Sequence, residues 1–560
     1  MVNLLSAFKV KPDANGSLPP KETVNGRIIA LALFGASAAM LFGYDLGFIG
    51  GVVTLPAFKS DFHLNTKSAA AQTAFSSNVV SVFQAGAVGG AMVSSFIANR
   101  LGRRISLFIN LVIYIIGAAF MTGASGSAGE GLVYTGRVLT GWGVGASTMI
   151  VPVYVAECSP PHIRGRLVGM YEVGVQFGTM VSEDPSPRGG WRGVVLTEQI
   201  GFWIPYGILK TQTGTPQWRI PFAVQLIPSG ACLIALFFLR ETPRFIAKQS
   251  GESKALHTLA YFRGLSEDHD YVHRELDEIM EQVEIEKAMI GDMGRFATVK
   301  KSFGRRNLRR LLSGMLDLSR KVLHVPSLTP TVIFFQMAGT NAVNYYSPVI
   351  FQSLGLSSSS ASLFATGVYG VIRFVATLIA MALFTDRFGR KTMIVTGGSI
   401  MAICMWIVGA LSKTSPAKIG AGMSGPQLGS IILIYIWAVA FCFSYAGIPW
   451  IFCSEIFPLD IRTFCMAICT STHWAFNLML AKTTPYMIQN LGGYGIYFVF
   501  AACTTVGAIW EFFYMPETRG KTLEEIEAAF GNEIPNDGLV LTKGAEGKVE
   551  EVVHVEQTLV

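Results

Sequence analysis

Charge is scarce in this chain. Only 14% of its 560 residues are Asp, Glu, Lys or Arg, against 51% hydrophobic. That balance excludes an ordinary soluble domain and a disordered chain, both of which carry far more polar surface. Cysteine is sparse as well: the eight residues show no CxxC or paired spacing. This argues against a disulfide scaffold or a metal site and leaves them as packing residues. No nucleotide-binding loop, metal cluster or nucleophile-base pair stands out, so no enzyme and no cofactor is expected. The glycines of Gly141–Gly145 lie inside an apolar run, where they serve helix packing. A cleavable leader is also missing, since residues 1–26 are polar and the first apolar run is long enough to remain as a span.

What the chain does have is apolar windows close to the length that crosses a bilayer. They fall at 28–55, 77–98, 104–124, 131–156, 165–208 (interrupted), 220–239, 323–350, 362–384, 392–411, 429–453, 463–483 and 494–514. The expected fold is an all-α membrane protein of twelve transmembrane helices in two six-helix halves. The boundaries are a polar N-terminal segment 1–26, a first half 27–244, a cytoplasmic helical loop 245–322, a second half 323–514 and a tail 515–560. Lys and Arg concentrate around Arg100–Arg104, 244–321, Arg387–Lys391, Arg462 and Arg519–Lys521, while loops 352–361 and 486–493 hold almost none. The positive-inside bias therefore predicts a multi-pass protein, in the plasma membrane, with both termini cytoplasmic. The net charge of +7 follows from this bias and anionic headgroups, so no nucleic-acid partner is needed.

The middle loop contains one amphipathic helix, with apolar residues at 272, 276, 279, 280 and 283 on a single stripe. It is expected to lie against the cytoplasmic faces of both halves. In the tail, Lys521–Ile526 predicts a short helix, followed by a polar stretch expected to be disordered.

Three charged signatures occur twice, in the same order, about half a chain apart. Asn99-Arg100-Leu101-Gly102-Arg103-Arg104 returns as Asp386-Arg387-Phe388-Gly389-Arg390-Lys391. Glu157 with Arg164 returns as Glu455 with Arg462, and Glu241-Thr242-Pro243-Arg244 returns as Glu517-Thr518-Arg519-Gly520. The chain is thus a duplicated membrane unit, and such units place a binding site between their halves and alternate access to it. Arg103, Arg104 and Arg244 with Glu157 and Glu241, and Arg390, Lys391 and Arg519 with Glu455 and Glu517, can pair at helix ends and latch the cytoplasmic side. The alternative is that they only satisfy topology.

Residues 181–199 interrupt the fifth span with three acids, two arginines and two prolines, a costly set for a lipid-facing helix. Deleting them rejoins Gly178-Thr179-Met180 to Ile200-Gly201-Phe202 and restores a helix of ordinary length. The codons of this stretch can carry the donor, branch and acceptor signals of a short intron. A retained intron is favoured over a genuine extra loop.

The ordered motifs, with Gly136-Arg137, Pro152-Val153-Tyr154, Gly339-Thr340-Asn341, Tyr345-Tyr346 and Trp450, resemble the sugar porter family of the major facilitator superfamily over residues 27–530. Gly43-Tyr44-Asp45 and Asn341 to Pro348 resemble its fungal quinate-permease branch, which also includes carriers of pentoses and sugar acids. Asp45 lies mid-span, and an intramembrane acid is by default a functional hypothesis. Its expected partner is Arg137, since the resemblance implies that this acid and the arginine of the Gly-Arg motif form a protonation switch. A carboxylate beside a cation stays ionised, and one stranded in an apolar site takes up a proton. A static buried pair is the alternative.

Arg373 sits at the centre of the eighth span, where it can hold a substrate carboxylate through its fork of donors or neutralise Glu172 of the fifth. Glu172 occupies the place where many sugar porters have a sugar-binding glutamine, and the seventh span has Phe335-Gln336 in place of two glutamines. Gln336, Asn341 and Asn344 can line one face of an unwound helix, and amides suit hydroxyl recognition because each both donates and accepts. Trp450 can stack on a ring. Asn477 and Trp474 are weaker candidates, since such residues often serve packing. The leading expectation is a sugar:proton symporter importing a monosaccharide-sized polyol by alternating access, leaning to a neutral substrate because Glu172 offsets Arg373. The rivals are a quinate or uronate symporter, an uncoupled facilitator, and a non-transporting sugar sensor, which a tail of only about forty residues argues against.

Overall fold

The computed structural model describes residues 20–125, 129–160, 163–179, 203–291, 328–356, 359–384, 388–416, 423–456, 462–515, 517, 539–543 and 549–554. The first half contains α1 (Gly26–Val52), α2 (Pro56–Asp61), α3 (Ala69–Leu101), α4 (Arg103–Thr122), α5 (Gly129–Cys158), α6 (Arg164–Thr179), α7 (Trp203–Thr211), α8 (Pro216–Val224) and α9 (Leu226–Phe238). The loop carries α10 (Pro243–Ser250), α11 (Glu252–Arg263) and α12 (Asp270–Gly291). In the second half are α13 (Leu328–Met337), α14 (Thr340–Ser353), α15 (Ser359–Ile379), α16 (Arg390–Thr414), α17 (Gly425–Phe443), α18 (Ile448–Ile456), α19 (Arg462–Asn490) and α20 (Gly495–Tyr514).

Nine helical segments among the described residues are long and apolar enough to cross a membrane. The other three expected spans fall where helices are broken or more polar. The fifth is divided between α6 and α7 around the suspected insert, whose residues 181–199 lie outside the described ones. The seventh breaks at Ala338-Gly339, between α13 and α14. The eleventh is α19, a continuous helix holding His473, Lys482 and Pro485. Ile234 is 62% exposed, Phe238 77% and Phe513 70%, an outward apolar belt that suits lipid and would be a liability in water.

Among the packings of described residues that join the halves are α3 on α19, α6 on α15 and α1 on α14. In span order these are second with eleventh, fifth with eighth, and first with seventh. Exchanging the halves turns the first pairing into the second and returns the third to itself. The duplication seen in the sequence is therefore a two-fold relation in space. The first and seventh spans line its axis, so residues near their middles are central by construction.

The loop helices extend the first half. Val272, Leu276 and Val283 of α12 are fully buried, as the stripe required, and pack on α10 and α11. Arg263 fixes the arrangement: its guanidinium donates to both carboxylate oxygens of Glu275 at 2.7 and 2.5 Å, and to the Cys158 carbonyl at 2.8 Å. A cation on the last carbonyls of α5 complements that helix end. Among the described residues α12 packs chiefly on α10 and α11, which Arg263 ties to the end of α5; the expected contact with both halves involves segments outside the described residues. In the tail, Leu539–Lys543 and Val549–His554 form an antiparallel pair of strands in a stretch expected to be disordered; Lys521–Ile526 and Arg519 lie outside the described residues.

Candidate functional site

The basic end is built on two carboxylates that cap helices. Gly102 turns between α3 and α4 with φ +94°, and the first amides of α4 then point at Glu241. Arg103 N donates to Glu241 Oε1 at 3.0 Å and Arg104 N to Oε2 at 2.9 Å. A Cβ on Gly102 would stand 2.4 Å from Glu241 Oε2, so glycine permits both the turn and the carboxylate's approach. Burial pushes the Glu241 carboxyl up, against the backbone N–H groups and the Arg103 guanidinium that favour its charge. The second half repeats the device: Arg390 N donates to Glu517 Oε1 at 2.8 Å and Lys391 N to Oε2 at 3.2 Å. A carboxylate over the first amides of a helix satisfies orphan donors and the helix dipole together.

Of the expected side-chain latches, the structure joins Arg103 to Glu157 at 2.9 Å. Arg104 turns instead to the Leu236 and Phe237 carbonyls at the end of α9, and Lys391 lies over the Phe512 ring. Arg244 occupies the first turn of α10. Glu455 falls in α18, but its side chain is outside the described set. Every one of these contacts joins helices of the same half.

Asp45 and Arg137 meet inside the first half. Arg137 Nη1 donates to Asp45 Oδ1 at 2.6 Å, and both side chains have no solvent exposure. Tyr114 donates to Asp45 Oδ2 at 3.1 Å, while Arg137 Nε donates to the Val79 carbonyl at 3.1 Å and its plane covers the Phe83 ring at 4.4 Å. A buried ion pair persists only with such supporting bonds, and removing either partner leaves a charge in an apolar site.

In the second half the polar residues form a ladder. The Gln336 amide meets the His473 ring at 2.9–3.0 Å. Asn341 donates to Gln336 Oε1 at 2.8 Å, and Asn344 to Asn341 Oδ1 at 3.3 Å. Asn344 Oδ1 in turn accepts from the Tyr369 hydroxyl at 3.1 Å and from Arg373. The break after α13 is what brings Gln336 and the two asparagines together on consecutive helix ends. Trp450 lies with its ring centre 5.2 Å from that of His473. Asn477 sits apart from the ladder, donating to the Tyr345 hydroxyl at 3.2 Å. Trp474 reaches across to donate to Thr148 Oγ1 at 3.2 Å.

Glu172 is buried on α6, held by Gln176 at 2.7 Å, and faces Gly447 of the second half. No ion pair within 4 Å joins it to Arg373 among the described residues, and Arg373 is flanked by the Tyr369 and Phe441 rings. Sequence reading missed His473, Tyr369 and Tyr114. The only available signal was a histidine in an apolar span, and its partner is set by how α13 crosses α19. Glu511 was missed too: it is buried in α20 and accepts from Tyr445 at 2.5 Å.

Comparison with known proteins agrees with this architecture. A family model described as "Sugar (and other) transporter" matches residues 31–183 and 193–530, passing over a stretch inside the suspected insert. A probable quinate permease of Aspergillus flavus is 37% identical over 515 residues, covering 91% of this chain and 89% of that one. The quinate permease of Emericella nidulans is 36% identical over 519 residues, covering 91% and 90%. Among solved structures, the proton:xylose symporter XylE bound to 6-bromo-6-deoxy-D-glucose superposes with a TM-score of 0.71 at 24% identity, covering 90% of this chain and 99% of that one. A partially occluded inward-open form of the xylose transporter XylE from E. coli gives 0.68 at 23%, covering 89% and 100%. The chain therefore belongs to the sugar transporter family of the major facilitator superfamily.

Proposed function

We propose that the protein is a proton-coupled symporter importing a compact carboxylated polyol of the quinate class across the plasma membrane, with both termini cytoplasmic. The observation that carries this is the pairing of two unlike polar centres. Asp45 with Arg137 is fully buried in one half, and an amide ladder ending on Arg373 lies in the other. The amides match vicinal hydroxyls, and Arg373 offers a fork of donors to a carboxylate. The lean toward a neutral sugar rested on Glu172 balancing Arg373. They are not in ion-pair contact but still feel each other's charge, so Glu172 offsets Arg373 only in part, and the relatives named as quinate permeases strengthen the other reading. A neutral monosaccharide is the second reading, favoured by the aromatic and amide partners that already surround Arg373.

Movement of Arg137 away from Asp45 strands the carboxylate in an apolar site, and proton uptake there ties protonation to the change of access. Uptake of labelled quinate, galacturonate, xylose and glucose across pH, in cells lacking their own carriers, tests the proposal. Coupled uptake of acids is expected, and uptake of neutral sugars alone would refute the substrate class. The same reading holds 27–244 and 323–514 as the two moving halves, with 245–322 as their cytoplasmic link and 181–199 as a retained intron. A chain lacking 181–199 should transport where the full chain does not; a dominant spliced message retaining those codons would sink the intron.

A further inference from the structure

The seam at the end opposite the arginine turns carries a charge that closing the seam does not require. There α3 runs along α19, and the bonds between them are polar: Gln489 of α19 donates to Thr73 of α3, and Lys482 of α19 donates to Asn78 and, at 3.4 Å, to Ser77. Lys482 is half-buried, and among the described residues no carboxylate lies within 4 Å of it. At the same end of the bundle Lys67 and Glu130 pair with each other at 2.7 Å. Neutral donors could make these bonds, so the ammonium adds a charge that the bonds of the seam do not use. An uncompensated cation in such a place calls for a ligand of opposite sign.

Alternating access requires this seam to part, and the bonds lost are those Lys482 and Gln489 make to α3. Lys482 then stands at the mouth of the cleft. It lies nine positions beyond His473 on α19, roughly 13 Å at the rise of a helix. Deeper in the same half lies Arg373, also without an ion pair among the described residues. The second half thus offers two cations in succession, one at the mouth and one at the end of the amide ladder. An ammonium on a flexible four-carbon stem exchanges two neutral acceptors for one carboxylate, which gives a stronger, charge-assisted bond.

We infer that Lys482 is a specificity residue, the outer contact that captures the carboxylate of an anionic substrate as the halves separate and returns to Asn78 and Ser77 as they close. The inference rests on the carboxylated-polyol reading above. Its test uses the protein lacking residues 181–199 in carrier-deficient cells, with quinate and galacturonate against xylose and glucose, in Lys482→Gln and Lys482→Arg.

Lys482→Gln keeps a donor for Asn78 and removes the charge. It is expected to raise KM for the acids about tenfold, leave kcat within about twofold, and leave neutral sugars unchanged. Lys482→Arg should behave as wild type. In the wild type alone, raising ionic strength should raise KM for the acids only, because charge steering is screened by salt; this reading survives if a variant fails to assemble. Equal loss for acids and neutral sugars in Lys482→Gln would make the residue a simple gate and overturn the proposal, as would an unchanged KM for acids. A wild type that carries no acid removes the substrate class itself, a failure visible before any variant is made.

Discussion

The two halves descend from one repeated unit, yet they hold polar groups in opposite ways. In the first, Asp45 and Arg137 are two full charges locked together at 2.6 Å, with Tyr114, Val79 and Phe83 closing around them. In the second, His473, Gln336, Asn341 and Asn344 form a run of neutral groups that ends on one cation. A buried ion pair is rigid and costly to break, so it suits a switch with two states. A chain of amides has donors and acceptors that re-pair at little cost, so it suits a ligand rich in hydroxyls. Duplication supplied two similar scaffolds, and on the proposed function the side chains divide the proton and the solute between them.

The sharpest way to break this comparison is at Asp45. Asp45→Asn keeps the shape and removes the titration; uphill, pH-driven uptake should fall at least about a hundredfold while exchange across the membrane stays within a few-fold. Persistent substrate-induced alkalinisation of the medium in that variant would place the proton path elsewhere. Next comes Arg373→Gln, expected to reduce acid uptake by roughly thirtyfold or more and to spare neutral sugars. If every substrate suffers, and Glu172→Gln added to it restores part of the loss, then Arg373 balances Glu172 and does not bind a carboxylate.

A smaller effect is expected where the halves touch backbone to backbone. A Cβ on Gly50 of α1 would come 2.1 Å from the Tyr345 carbonyl oxygen of α14. Gly50→Ala should therefore hinder closure of that seam, slowing turnover about tenfold while equilibrium binding from the open side is kept. The smallest change is His473→Gln, which leaves the ladder a donor and an acceptor. Its KM should rise only about threefold, with the pH profile of uptake unaltered; a shifted profile would bring His473 into the proton path and blur the division between halves.

Much of this was legible in the residues because the membrane leaves charge few places to hide. Asp45, Arg137, Glu172 and Arg373 each stood out as an ionisable side chain in an apolar run, and the partnership of Asp45 with Arg137 was implied by the family resemblance. Glu241 and Glu517 were read as partners of arginine side chains. The structure gives them the backbone amides of Arg103, Arg104, Arg390 and Lys391, because the turns at Gly102 and Gly389 let a carboxylate approach the peptide itself. Sequence shows the charges at such a corner and does not show the angle at which the chain turns. The same limit hid His473, whose partner depends on a helix crossing, and Lys482, which belongs to a seam that exists only between halves.

The capping carboxylates have a consequence for how the polypeptide can be divided. Each half completes its own basic corner, Glu241 on α4 and Glu517 on α16, and takes none of the described bonds at that corner from the other. The helices α10 to α12 close on the first half as well. Two separate polypeptides, cut between Gly291 and Leu328 and co-expressed, should each insert and fold as a unit. They should then find one another through the seam of α3 with α19 and its two-fold mate of α6 with α15, restoring transport without a peptide bond between them.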